Sequence, residues 1–114
     1  RVLAIAEREY GRDHPRVALT LANLGNAYGA LGAHAKKRDM LERALAINER
    51  AYGRDHAQVA ITLVQLGIAY GNLGDHAKKR DVLERALAIF ESAYGPEHPH
   101  TKYVKNSLAK LASS

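Results

Sequence analysis

The chain's six histidines are its side chains best suited to holding a metal, and two arrangements invite that reading. One is His98-x-His100; the other is His34 with His76, which stand at equivalent places 42 residues apart. A first-row transition metal wants three or four convergent ligands. His14, His56 and His98, however, sit in turns where the Asp-His-Pro phrase of 13–15, or its variants at 55–57 and 97–99, caps the next helix, while His34 and His76 each open a helix. Repetition accounts for them, so no metal and no other cofactor is expected. The triplets Lys36-Lys37-Arg38 and Lys78-Lys79-Arg80 could build a basic ridge for phosphates or acidic partners, set against the positive end of a helix. Asp39, Glu42, Asp81 and Glu84 neutralise them locally, which points to a solvated charged face; nucleic acid is not an expected partner. Nothing suggests catalysis. There is no glycine-rich phosphate loop or nucleophile elbow, and Ser92, Ser107, Ser113 and Ser114 lie outside any triad phrase. The expectation is a non-enzyme.

Composition narrows the field further. The 114 residues include 17 Lys and Arg, 12 Asp and Glu, 46% hydrophobic residues, and neither Cys nor Trp. Disulfide scaffolds, thiolate metal sites and cysteine nucleophiles are therefore excluded. One domain of this size can bury a core, and no apolar run approaches the roughly 18 residues needed to span a bilayer, so no membrane partner is expected. The net charge of +5 is thin and dispersed, being +2, +1 and +2 over residues 1–42, 43–84 and 85–114.

The elements that carry these side chains follow from an internal repeat. Residues 1–42 and 43–84 share 30 of 42 positions, and landmarks return a third time: Tyr10, Tyr52 and Tyr94; Gly11, Gly53 and Gly95; His14, His56 and His98. A fixed period of this length is the signature of stacked supersecondary units. Within one period Pro15, Val17, Leu21, Leu24, Tyr28 and Leu31 have the spacing of an amphipathic helix A that Gly32 ends. Met40, Leu41, Ala44, Leu45 and Ile47 mark a helix B that Gly53 stops. The spacing predicts a partial helix B at 1–10, repeats at 15–52 and 57–94, each an A helix (15–31, 57–73) followed by a B helix (34–52, 76–94), and a terminal helix A at 99–112. That is one array of six helices over 1–114, all-α, in which hairpins too small to bury their own apolar faces must stack. On helix B, Arg38 with Glu42, Asp39 with Arg43, and their copies Arg80 with Glu84 and Asp81 with Arg85, have i, i+4 spacing and predict surface ion pairs.

The phrase Leu24-Gly25-x-x-Tyr28, with Gly32 and Ala44, returns as Leu66-Gly67-x-x-Tyr70, Gly74 and Ala86, and resembles the tetratricopeptide repeat. The run over 11–25 and the Leu-Glu-Arg-Ala-Leu-Ala-Ile of 41–47 and 83–89 resemble its 42-residue variety, found in kinesin light chains and large signalling proteins. The resemblance covers essentially the whole chain and implies a right-handed superhelical solenoid of antiparallel helix hairpins. Gly25 and Gly67 fit such a fold, because a glycine on a buried helix face lets the partner helix approach closely. Lys37 and Lys79 depart from it, standing where the family has a small alanine; a lysine stem lying along the contact would accommodate them, as would a slight rotation of the helix. The last A helix departs as well: Ala109, Leu111 and Ala112 replace the motif and Lys102, Lys105 and Lys110 appear, as in a polar terminal cap.

In the family the A helices line a concave surface. By that register the exposed groove face carries Leu19, Ala22, Asn23, Asn26 and Ala30, then Ile61, Val64, Gln65, Ile68 and Asn72. Ile61, Val64 and Ile68 would form an apolar strip flanked by the amides of Asn23, Asn26, Gln65 and Asn72, able to pair with the backbone of an extended peptide. Asn23 coincides with a groove asparagine that kinesin light chains use for cargo peptides. Ala22 and Val64 stand where the chaperone-tail version carries a lysine, so no carboxylate clamp is expected. The function implied is a protein–protein interaction scaffold holding a protein or peptide ligand, cytoplasmic in location. The rival readings are an architectural spacer and a weak binder of nucleic acid or other anions through the basic triplets. Opening on Arg1-Val2-Leu3 inside a helical pattern, the chain is expected to be a piece of a longer protein, with Leu3 and Ile5 lacking a preceding A helix and free for end-to-end self-association.

Overall fold

Histidine starts every A helix. In a computed structural model, which describes residues 2–113, the backbone of His14, His56 and His98 is extended. Each imidazole Nδ1 accepts the N–H two residues on, from Arg16 at 3.0 Å, Gln58 at 3.0 Å and His100 at 3.1 Å. Such a cap satisfies one of the donors that a helix start leaves open. Each ring also stacks on the tyrosine four residues before it, Tyr10, Tyr52 or Tyr94, with centroids 5.0, 4.8 and 4.3 Å apart. The turns that close the helices use Gly32 at φ 82° and Gly53 at φ 90°, a region that side chains with a Cβ rarely enter.

Six helices result among the described residues, with no strand: α1 Val2–Tyr10, α2 Pro15–Ala30, α3 His34–Tyr52, α4 Ala57–Asn72, α5 His76–Tyr94 and α6 Pro99–Ala112. Helices α2 and α4 stop one residue short of the predicted ends, because Leu31 and Leu73 are their capping residues. Arg1, assigned above to the first helix, and Ser114 lie outside the described residues. Each helix packs mainly on its neighbours in sequence, giving an all-α solenoid of antiparallel hairpins measuring 44 × 30 × 19 Å. No helix of the described residues is long and apolar enough to cross a membrane.

The core runs along the stack in successive clusters. Ala6, Val17, Leu21, Ala44 and Ile47 join α1 to α2 and α3; Leu41, Leu66 and Tyr70 bridge α3 and α4; Val59, Leu63, Leu83, Phe90 and Val104 join α4 to α5 and α6. Leu3 packs against the first of these clusters, so it is not the open residue the sequence suggested; Val2 and Ile5 are exposed. The close approach expected at Gly25 and Gly67 is present. A Cβ on Gly67 would lie 3.3 Å from Leu83, and one on Gly25 would lie 3.6 Å from Leu41. The stem of Lys37 lies across Gly29 and that of Lys79 across Gly71, which is how the two lysines fit where the family has alanine.

The ion pairs of the B helices differ from those read by spacing. Arg43 pairs with Glu7 and Arg85 with Glu49, each on the preceding B helix, and Arg85 also donates to the Arg54 carbonyl at 3.1 Å. Arg38 pairs with its neighbour Asp39 at 3.0 Å, and Glu42 accepts the Tyr70 hydroxyl at 2.6 Å. Arg80, Asp81 and Glu84 form no ion pair among the described residues. Stacking brings a half-buried carboxylate of the previous repeat to each arginine, and this outcompetes the exposed partner one turn away. The arginine at Glu7, by hydrogen bond and then by charge, holds that carboxyl below the usual range against the opposing effect of burial.

Candidate functional site

Helices α2 and α4 run side by side, with α3 behind them, and leave a cleft of about 410 Å³ between them. Its walls carry residues in matching register: Arg16, Leu19 and Asn23 on α2, and Gln58, Ile61 and Gln65 on α4. Leu19 is 58% exposed and Ile61 36%, so apolar surface faces solvent on both sides. The floor is made by Ala18, Ala22, Asn48 and Thr62, with Tyr52 at one end. Asn48 and Thr62 are buried, and Asn48 Nδ2 donates to Thr62 Oγ1 at 3.0 Å while that hydroxyl donates to the Gln58 carbonyl at 3.2 Å. The Asn48 amide nitrogen and the Thr62 hydroxyl therefore each have a partner, as buried polar groups generally do.

The cleft gathers three of the seven groove residues read from the sequence, Asn23, Ile61 and Gln65. Asn26 is exposed on α2, Ile68 is 39% exposed on α4, and Asn72 is the last residue of α4; none of the three lines the cleft. Val64 is partly buried and packs against the cluster that contains Phe90 and Val104, so the expected strip of Ile61, Val64 and Ile68 is interrupted at its centre. Asn48 and Thr62 were missed because helix periodicity marks them as core positions. The signal was in the repeat alignment, where position 48 is asparagine but its counterparts are Ala6 and Phe90.

Charge is distributed unevenly over the fold. Helices α2, α4 and α6 contain no Asp or Glu, whereas every B helix carries them. Among the described residues Arg16 is the one charged residue lining the cleft, and its guanidinium lies 5.6 Å from the centre of the Tyr10 ring. The basic triplets are turned to structural use: Lys36 sits 5.2 Å from the Tyr28 ring centre and Lys78 5.7 Å from that of Tyr70, while Lys37 and Lys79 cover Gly29 and Gly71. Arg38 pairs with Asp39, whereas Lys36, Lys78 and Arg80 are exposed. Among the described residues no three His, Asp or Glu side chains converge as a metal site would require. His98 and His100 face one another with ring centres 4.8 Å apart, but both also pack on Tyr94, and the Nδ1 of His98 is occupied by its cap.

Two family models, both described as tetratricopeptide repeat, match residues 17–58 and 38–92. Among solved structures, the crystal structure of a Podosopora anserina protein assigned as a kinesin light chain, with nearly identical TPR-like repeats, is similar at a TM-score of 0.89. The two are 25% identical over 96% of this chain and 52% of that one. A glutamine-to-methionine variant of the same protein gives the same figures. The chain therefore spans about half the length of these structures. No curated protein sequence matches it.

Proposed function

Because the chain belongs to the tetratricopeptide-repeat family, in its kinesin-light-chain-like form, we propose that it is a protein-interaction scaffold holding an extended peptide in the groove between α2 and α4. The observation that carries this reading is the cleft itself. It sets the amides of Asn23 and Gln65 on opposite walls, with Leu19 and Ile61 beside them. An amide offers both a donor and an acceptor to a peptide backbone, and the apolar neighbours accept alternate side chains. Asn26 on α2 and Ile68 and Asn72 on α4 then extend the same face beyond the cleft, where Ile68 supplies exposed apolar surface, while Val64 packs toward α6. Scaffolding rather than catalysis is the role the repeats support.

The test is a double substitution, Asn23→Ala with Gln65→Ala, in which both side chains are solvent-accessible and the fold is retained. A peptide partner of the wild-type chain should lose most of its affinity. Undiminished binding by the double variant would remove the groove from the account.

Self-association is the second reading. The exposed Val2 and Ile5 of α1 favour it, but α6 does not offer the face by which α4 holds α5. Lys105, Ala109 and Ala112 stand where α4 has Leu63, Gly67 and Tyr70, and Lys105 pairs with Glu91 at 3.7 Å. Head-to-tail stacking of α1 on another copy's α6 would therefore lack the apolar register of the native hairpins.

A further inference from the structure

The cleft between α2 and α4 is open because of what stands at position 48. The equivalent position in the next repeat is Phe90, 2% exposed, whose ring meets His100 at 5.3 Å, and Val104 takes the place of Thr62. Val64, the counterpart of Ala22, packs against the same cluster. The groove between α4 and α6 is thereby filled with apolar side chains, whereas that between α2 and α4 keeps a polar floor.

Thr62 fixes the orientation of the Asn48 amide. Its hydroxyl hydrogen is committed to the Gln58 carbonyl, so Thr62 Oγ1 can only accept, and the group that faces it must be Nδ2. Asn48 Oδ1 is thus left as an acceptor without a hydrogen-bond partner among the described residues, on a side chain 5% exposed that lines the cleft. Among the described residues no carboxylate lines the cleft, and Arg16 is part of its lining, so a cationic group would enter without a counter-charge. A purely aliphatic group would leave the acceptor unmet in a desolvated site.

We infer that Asn48 is the specificity-determining residue of the groove: its Oδ1 selects, from a bound peptide, one neutral side chain that ends in an N–H or O–H donor. This rests on the peptide-groove reading above. The donor-tipped side chain enters between Asn23 and Gln65, which hold the backbone on either side, and the groove between α4 and α6 takes no comparable anchor.

The experiment uses a phage-displayed library of random heptapeptides, panned on the full 114-residue chain, and two variants patterned on the protein's own repeats. Asn48→Phe copies Phe90 and closes the cleft; Asn48→Ala copies Ala6 and removes the acceptor. Selected peptides should share one position enriched in Gln, Asn, Ser, Thr, Tyr or Trp over Leu, Ile, Lys and Arg. Synthesised, they should bind Asn48→Phe about tenfold or more weakly, the size of one buried hydrogen bond left unmade. On Asn48→Ala the preference for Gln over Met at that position should vanish, which decides the matter if Asn48→Phe fails to fold by circular dichroism. Peptides that bind the Asn48 variants with unchanged affinity and preference, or a fixed position occupied by Leu, Ile, Lys or Arg, would overturn the inference. The groove reading would survive that result provided the same peptides were lost on Asn23→Ala with Gln65→Ala. A library yielding no peptide at all would remove both.

Discussion

Alanine should stabilise the chain at Gly25 but not at Gly67, although the repeat makes the two positions equivalent. Both lie inside A helices, where replacing glycine by alanine recovers about 0.8–1.0 kcal/mol of helix propensity. At Gly25 the new Cβ would lie 3.5 Å from the Lys37 carbonyl oxygen and 3.6 Å from Leu41 Cγ, which are ordinary contacts. The propensity gain survives there, and Gly25→Ala should stabilise the chain by about 1 kcal/mol, roughly 4 °C in Tm. At Gly67 the Cβ would stand 3.3 Å from two atoms of Leu83 and 3.4 Å from Val82 Cγ2. Leu83 is buried in the core and has no free direction in which to retreat. Overpacking of this kind costs about 1–3 kcal/mol, so Gly67→Ala should range from neutral to about 2 kcal/mol destabilising. Urea unfolding followed by far-UV circular dichroism, with the slopes compared, measures both. Equal stabilisation by the two substitutions, or destabilisation at Gly25, would refute the packing argument.

Removing the phenol hydrogen bond with Tyr70→Phe should cost about 1 kcal/mol in the same assay, because the Glu42 carboxylate loses a partner at 2.6 Å. Burial, reinforced by Glu42, raises the Tyr70 pKa, so its contribution is complete below the ordinary tyrosine value of about 10 and is lost as alkaline pH rises through the folded value. Glu7 has the opposite sign: its pKa is lowered chiefly by Arg43, so its stabilising contribution is present above the ordinary glutamate value of about 4.3 and disappears as the pH falls through the folded value. Glu7→Gln should flatten the acid limb of a stability–pH profile, and an unchanged limb would count against the pairing with Arg43. Leu3→Asp should lower Tm, since Leu3 packs into the first core cluster; sedimentation velocity should show the wild-type chain already monomeric, and a concentration-dependent oligomer abolished by Leu3→Asp would reverse that reading.

The 42-residue period made the architecture legible, because the turn glycines and the histidines recur where a helix must stop or start. What spacing could not reveal was which partner wins when two are in reach. Arg43 is four residues from Asp39 but pairs with Glu7, a residue 36 positions away that stacking delivers half-buried. Register puts Asn23, Ile61 and Gln65 on the open face of an A helix, and these three line the cleft. Val64 departs from the periodic strip, because its side chain packs against the cluster that contains Phe90. Asn48 was hidden by its apolar register, yet the sequence marked it: asparagine between Ala6 and Phe90 is a polar exception at a core position.

The central claim, that an extended peptide lies between α2 and α4, is tested most directly by mapping amide chemical shifts of the isotope-labelled chain as a library-selected peptide is added. The largest changes should fall on Arg16, Leu19, Asn23, Ile61 and Gln65, with the Asn48 side-chain amide shifting in step and α6 unmoved beyond its first turn. Changes concentrated on the outer face of the B helices, around Arg38 and Arg80, or along α5 and α6 with the α2–α4 cleft silent, would contradict it.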